Sequence, residues 1–287
     1  MRLLIVGCGD VGQRVLRQLD GRWTVRALTS QPERLPVLRA LGATPLLGNL
    51  DDRRSLRRLG ALAGHVLHLA PPPAHGDDDP RTRHLIEALA RHSRGLRLVY
   101  GSTTGVYGDC GGERFDETRA VAPANARAHR RVAAERPLPR AGRTLGLRVS
   151  FLRFPGIYAG DRPGGHPRVR PSRGTPVLCA ADDVHTNHIH ADDLARACLA
   201  ALHRGRPQRV THACDDTALK MGDYFDLAAD LCGLPRPPRI TRDEARTRLA
   251  PMLLSFMSES RRLDNRRLKA ELRLVLRHPT VATGLLA

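Results

Sequence analysis

The residues best suited to chemistry stand at the start of the chain. "VGCGDVG" sets Gly7, Gly9 and Gly12 as G-x-G-x-x-G, directly after an apolar run and at the opening of a helical pattern. In such a motif the first glycine permits a tight turn, the second lets the main chain approach a pyrophosphate, and the third lets helix and strand pack closely. The helix N-terminus behind it offers free N–H donors and positive potential to an anion. The backbone of Gly7, Cys8, Gly9, Asp10, Val11 and Gly12 is therefore the expected diphosphate cradle, the other reading being a purely structural glycine turn. NAD-selective folds usually place Asp or Glu after the second strand to hold the ribose hydroxyls. Here that stretch is Leu28, Thr29, Ser30, Gln31, with no acid. Ser30 and Arg34 can instead receive a 2′-phosphate, which leans the cofactor toward NADP over NAD. A solvated Arg34 at a helix start is the competing reading.

A second group lies in "GSTTGVYG", where Ser102 and Thr103 fall at the carboxyl end of an expected strand, the edge at which open α/β sheets bind ligands. Thr103 either holds a substrate oxygen or only closes a turn. The 13 histidines show no metal-ligand spacing, and "HGDDDP" at 75–80 reads as a solvated loop, so no metal is expected. Cys8 within the glycine loop raises a redox role, because a helix N-terminus lowers a thiol pKa.

These residues need a scaffold, and the first half of the chain supplies the pattern of one. Short β-rich runs at 2–6, 24–28, 43–47, 65–69 and 96–100 alternate with helical spacing at 11–19 and 81–92, the signature of βαβ units and a parallel sheet. Further strands are expected at 147–151 and 209–213, and a helix with an acidic first turn follows His190. The fold class is α/β: a Rossmann-type doubly wound parallel sheet of about seven strands with a small, mainly helical C-terminal cap. Residues 1–158, completed by 185–214, would form the dinucleotide-binding domain. Residues 159–184, dense in Gly and Pro, and 215–287 would form the substrate cap.

Composition narrows the class. At 287 residues the chain can bury one substantial core. Its apolar runs are too short to span a bilayer, and Met1 leads straight into a strand with no leader-like pattern. Six scattered cysteines without a C-x-x-C pair fit reduced thiols, and the expected location is cytoplasmic. A net charge of +18 raises nucleic acid as a partner, but the positive charge is nearly all arginine spread along the chain, without basic blocks interleaved with aromatics. A small-molecule substrate is the expected partner, with no specific nucleic acid and no membrane, and a homodimer is compatible with this picture.

Seven segments in order, "VGCGDVG", "NLDD" from Asn49, "VLHLAPPP" from Val66, "YGSTTGVYGD" from Tyr100, "LRFPGIYAG" from Leu152, "IHADDLA" from Ile189 and "SESRRLDNRRLKAEL" from Ser258, resemble the extended short-chain dehydrogenases, the NAD-dependent epimerase/dehydratase family, and more narrowly its atypical YeeZ-like members. The resemblance implies that Asn49 and Leu50 lie beside the adenine, Ala70 and Pro71 beside the bridging phosphates and ribose, Ser102 near the cofactor, and Pro155, Gly156 and Ile157 beside the nicotinamide. For Asn49 and Leu50 an ordinary strand-end turn is the alternative. It also implies that Thr103 takes the family's hydroxyl position. The family's Tyr-x-x-x-Lys pair falls on Arg127 and Arg131, and arginine is no general acid, although Arg131 can supply the lysine's positive charge. Tyr107 or Tyr158, both flanking loops expected to face the nicotinamide, is then the candidate replacement donor, a packing tyrosine being the alternative reading for each, with His129 and His188 behind them. Three functions remain open: a reductase or dehydrogenase with a displaced acid, an epimerase or dehydratase of a nucleotide-activated sugar, and a non-catalytic dinucleotide sensor.

Overall fold

The computed structural model describes residues 1–162 and 164–286. Seven strands, β1 (Arg2–Val6), β2 (Thr24–Thr29), β3 (Thr44–Leu47), β4 (His65–His68), β5 (Arg97–Thr103), β6 (Arg148–Phe154) and β7 (Arg209–His212), form one sheet in the order β7-β6-β5-β4-β1-β2-β3. Every neighbouring pair in it is parallel. Helices α1 (Asp10–Gln18), α2 (Leu35–Ala40), α3 (Pro80–Leu89), α4 (Ala126–Glu135), α5 (Pro137–Leu145) and α7 (Ala191–Arg204) fill the connections, and a one-turn helix, α6 (Val169–Ser172), lies in the glycine- and proline-rich insert. The chain order reverses between β1 and β4, so the crevice at their carboxyl ends is the switch point where such sheets bind ligands.

Parallel strands covered on both faces must be apolar throughout, and Leu3, Leu4, Ile5 and Val6 of β1 are all fully buried. Leu3 and Ile5 join one core with Val15, Leu16 and the Ala-rich face of α7, while Leu4 and Val6 join a second with Leu85, Leu89 and Leu138. The alternation of β1 side chains thus divides the helices between two faces.

β5 runs to Thr103, three residues beyond the expected end, because Gly101, Ser102 and Thr103 continue in register against Leu152, Arg153 and Phe154 of β6. The cap also needs correction. Helices α8 (Met221–Leu231), α9 (Arg242–Arg248), α10 (Pro251–Phe256) and α12 (Val281–Leu285) and the insert share a third core around Tyr158, Val177, Phe225 and Ile240. Residues 262–276 instead return to the sheet: Leu268 of α11 (Arg266–Ala270), with Leu272, Leu274 and Leu276, packs into the β1 core. Nothing in the helical spacing of the tail distinguishes a leucine aimed at the cap from one aimed at the sheet. No helix among the described residues is long and apolar enough to cross a membrane.

Asp193 fastens this returning segment. Fully buried, it accepts the backbone N–H groups of Arg277 at 3.0 Å and His278 at 2.8 Å and pairs with Arg196 at 2.7 Å. Asp193→Ala strands two amides and a guanidinium; urea denaturation is expected to show a loss of about 2–4 kcal/mol. A loss below about 0.5 kcal/mol would show that the tail is held by its leucines alone.

Candidate functional site

The loop between β1 and α1 is shaped by one close approach. Gly7 adopts φ +84°, and a Cβ there would overlap the backbone of Ala70 at the end of β4. Gly9 caps α1 with no side chain, and a Cβ built on it meets no atom within 4 Å. The first α-helical bond runs from Gln13 N–H to Gly9 C=O at 2.9 Å, which leaves the amides of Asp10, Val11 and Gly12 without intrahelical acceptors. Gly12 packs against Cys8 Sγ and Ile5. An open space in front of free helix-start amides is the cradle that a diphosphate fills.

A crevice of about 280 Å³ extends from this cradle, lined by Gly7, Cys8, Gly9, Ser30, Arg34, Asn49, Leu50, Ala70 and Pro71 among others. Residues drawn from four separate segments thus line one crevice. No carboxylate lines it among the described residues. Arg34 leans over the glycine loop, donating to Cys8 C=O at 3.2 Å. Arg81, which sequence spacing did not single out, joins two crevice loops by pairing with Asp51 at 2.6 and 2.8 Å and donating to Pro71 C=O at 3.1 Å. Asn49 closes a turn through Oδ1 to Asp51 N–H, so the turn reading holds for its side chain. Asp10 and Val11 do not present side chains to the crevice. Asp10 turns to Arg14 at 3.2 Å and Arg162 at 3.0 Å, and Val11 packs on the core. Burial pushes the Cys8 thiol up to about 12, which is opposite to the redox expectation: desolvation outweighs the nearby Arg34.

A larger cleft of about 860 Å³ opens between the sheet edge and the cap. It brings together Thr103, Pro155, Gly156 and Ile157 with Arg127 of α4, Arg170 of α6, and His188, Tyr224 and Glu259. Arg162, which also lines it, reaches Asp10 at the first turn of α1 and so links cleft to cradle. Thr103 serves both readings, facing the cleft while its Oγ1 accepts Gly105 N–H at 3.3 Å. Glu259 is buried and already satisfied, by Asn125 at 3.1 Å and Arg261 at 2.6 Å. His188 stacks flat on Tyr224 at 3.8 Å, and burial drops its pKa to about 3, so it is neutral.

Other candidates point elsewhere. Ser102 is fully buried within β5 and its Oγ has no partner among the described residues. Tyr107 is 1 % exposed and does not line the cleft: its hydroxyl meets His212 Nε2 at 2.6 Å and accepts from Arg153 at 2.8 Å. Burial pushes it up to about 12, so Tyr107 is the hinge of an internal network rather than a proton donor to the cleft. Arg131 likewise turns to the Tyr100 hydroxyl and Gly101 C=O, at 3.2 and 3.0 Å. Arg127, not Arg131, is the α4 arginine that faces the cleft. After the strand extends through Thr103, the following turn carries the Tyr107 ring inward against Phe115 and His212. His190, Asp192 and His278 bring ligand-type atoms within 4.8 Å of one another, but Asp192 is held by Arg14 at 2.6 Å and His190 Nδ1 accepts the Asp192 amide at 3.2 Å, a helix cap.

A family model described as the NAD dependent epimerase/dehydratase family matches residues 3–213. The chain belongs to that family. A solved structure described as a functionally unknown conserved protein from Silicibacter pomeroyi DSS shares 31% identity at a TM-score of 0.83, covering 100% of this chain and 97% of that one. UDP-glucose 4-epimerase of Thermotoga maritima, solved with UDP-glucose, has a TM-score of 0.80 at 19% identity, over 99% and 96% of the two chains. The dTDP-glucose 4,6-dehydratase of Bacillus anthracis str. Ames, solved in complex with NAD, has 0.81 at 16%, over 99% and 94%. The last two show the shared fold. No curated protein matches the chain.

Two substitutions separate the roles of the loop glycines. Gly9→Val projects into open space, so its melting temperature should stay within about 5 °C of wild type while dinucleotide binding is lost in a fluorescence titration. Gly7→Ala, forced against Ala70 at positive φ, should cost about 2–4 kcal/mol in urea denaturation. A Gly9→Val protein that binds the dinucleotide normally would remove the cradle.

A pH signature comes from Asp215, 4 % exposed beside Tyr158, whose carboxyl burial pushes up to about 7. The folded state keeps a proton that the unfolded chain releases near pH 4, so this group's contribution to stability falls as pH rises from about 4 to 7. Asp215→Asn should flatten that decline, its advantage over wild type widening across the window in denaturation midpoints. Parallel wild-type and variant curves would refute the shift.

Proposed function

We propose that the protein is an NAD(P)-dependent oxidoreductase, lean NADP, transferring hydride to or from a carbonyl or hydroxyl of a small or sugar-like substrate bound in the cleft. The observation that supports it most is the open cradle at Gly9, backed by the free amides of Asp10, Val11 and Gly12 and continuous with a crevice free of carboxylates. When bound there, the dinucleotide supplies the hydride acceptor or donor. The amides hold its diphosphate; Ser30 and Arg34 meet the 2′-phosphate of NADP; Asn49, Leu50, Ala70 and Pro71 flank the adenosine half. Pro155, Gly156 and Ile157 form the cleft wall next to Thr103, whose hydroxyl orients the reacting oxygen. His188, stacked and neutral, holds the substrate away from the core rather than exchanging protons.

An epimerase or dehydratase acting on a nucleotide-activated sugar is the second reading, supported by the family and by relatives solved with UDP-glucose or NAD. Arg127 at the cleft position where a tyrosine acid would stand favours reduction or oxidation of a substrate that brings its own charge. A dinucleotide-sensing protein without turnover is the third.

NADPH is expected to bind at least about ten-fold tighter than NADH, and Arg34→Ala to abolish that preference, removing one charge-assisted contact to the 2′-phosphate. Tighter NADH binding in the wild type would end the NADP assignment. Absorbance change at the nicotinamide band with a panel of aldehydes, ketones and keto acids, lost in Thr103→Val, is the expected mark of an oxidoreductase. Tight cofactor binding without turnover on any member would favour the sensor.

A further inference from the structure

Most of the buried or half-buried arginines in this protein meet carboxylates. Arg14 has Asp10, Asp161 and Asp192, Arg153 has Glu135, Arg261 has Glu259, and Arg267 has Glu117. Other half-buried arginines, such as Arg26 and Arg97, donate to main-chain carbonyls, whereas half-buried Arg170 and the more exposed Arg127, which line the same cleft together with exposed Arg173, have no oxygen partner among the described residues. Arg170 is half-buried, with no ion pair among the described residues; its neighbours are the Phe225 ring at 4.6 Å and the Met221 sulfur at 3.7 Å. Arg127 also lacks an ion pair and a hydrogen bond among the described residues, and stands over the Phe256 ring at 4.5 Å. The one carboxylate lining the cleft among the described residues, Glu259, is already taken by Arg261 and Asn125.

A guanidinium drawn partly out of water without an anion is costly, and a phenylalanine face returns only part of that cost. Burial accordingly depresses both guanidinium pKa values, against the rise at Arg14 and Arg153. The two sit on different elements, α4 and α6, and each stacks on its own ring, so they are two separate points of positive charge. We infer that the cleft takes a small substrate bearing two separated anionic groups, carboxylate or phosphate, one completed by Arg127 and the other by Arg170. A planar fork that satisfies an oxyanion bidentately suits both chemistries, and stacking on phenylalanine leaves the N–H edges free to do so. This rests on the reading that a dinucleotide binds beside the cleft, and it names the class of substrate that would react with it.

The test uses the intact protein with saturating NADP⁺, in low-salt buffer, by isothermal titration with succinate, citrate and 2-phosphoglycolate, and with acetate and UDP-glucose for comparison. At least one dianionic probe should bind about ten-fold or more tighter than acetate, and Arg127→Gln and Arg170→Gln should each weaken it about ten-fold or more. Arg170→Lys, which keeps the charge and stem, should lose less than Arg170→Gln; this separates lost recognition from lost packing. Stronger binding of the phosphorylated probe than of the dicarboxylates assigns phosphate to one point. The inference is overturned if every dianion binds as weakly as acetate, if UDP-glucose alone binds, or if the two Gln variants bind like wild type. An NADP⁺ titration without anions reports the cofactor reading separately: NADP⁺ binding with no dianion binding removes only the inference made here.

Discussion

The contact on which the site depends is the buried guanidinium of Arg14. Held at 5 % side-chain exposure on α1, it meets Asp10 in the glycine loop's own helix, Asp161 in the insert and Asp192 at the start of α7. A buried cation surrounded by three carboxylates adds little net stability, since desolvation offsets most of the attraction. What it supplies is placement. The helix that opens at the glycine loop is tied to the insert that forms one wall of the cleft, and Arg162 repeats the tie from the other side by meeting Asp10 and Ile157 C=O. Cradle and cleft therefore keep a fixed relation although they belong to different cores.

This arrangement also explains how so basic a chain stays ordered. Forty-seven lysines and arginines face 29 acids, yet acids concentrate at junctions between elements: Asp193 under the tail, Glu135 under β6, Asp51 between two crevice loops. Excess positive charge is left for the surface and for the cleft. The cleft's free charge follows from where the acids are used, so its chemistry is a product of the scaffold's electrostatics.

Local spacing made the cofactor crevice legible. The glycine loop, Ser30 and Arg34 each lie within a few residues of a strand end, and strand ends follow from apolar runs bounded by turn residues. Once β1, β2, β3 and β4 are parallel neighbours, their carboxyl ends must converge, and Gly7, Ser30, Asn49 and Ala70 converge with them. The cleft was far less legible. Whether an arginine is paired often depends on partners remote in the chain; two of the three carboxylates that meet Arg14 lie 147 and 178 residues away. Arg170 and Arg14 look alike as letters, and only tertiary packing makes one a clamp and the other a free charge. Tyr107 was misjudged for a related reason, since the direction of a side chain after a strand turns on where that strand ends.

The Tyr107 network keeps that phenol's proton out of the cleft. His212 Nδ1 lies 3.0 Å from the Asp264 carbonyl, which can only accept, so in the neutral ring that nitrogen carries the hydrogen and Nε2 accepts from Tyr107. Burial keeps His212 neutral, its pKa near 4, and Arg153 fills the remaining side of the phenol. The Tyr107 proton is thereby committed inward, to a bond that fastens β7 and the C-terminal segment to the loop after β5. The cleft keeps Tyr158 and Tyr224 in its lining, both phenols pushed upward by burial, and Arg127 and Arg170 add guanidinium groups that have no ion pair among the described residues.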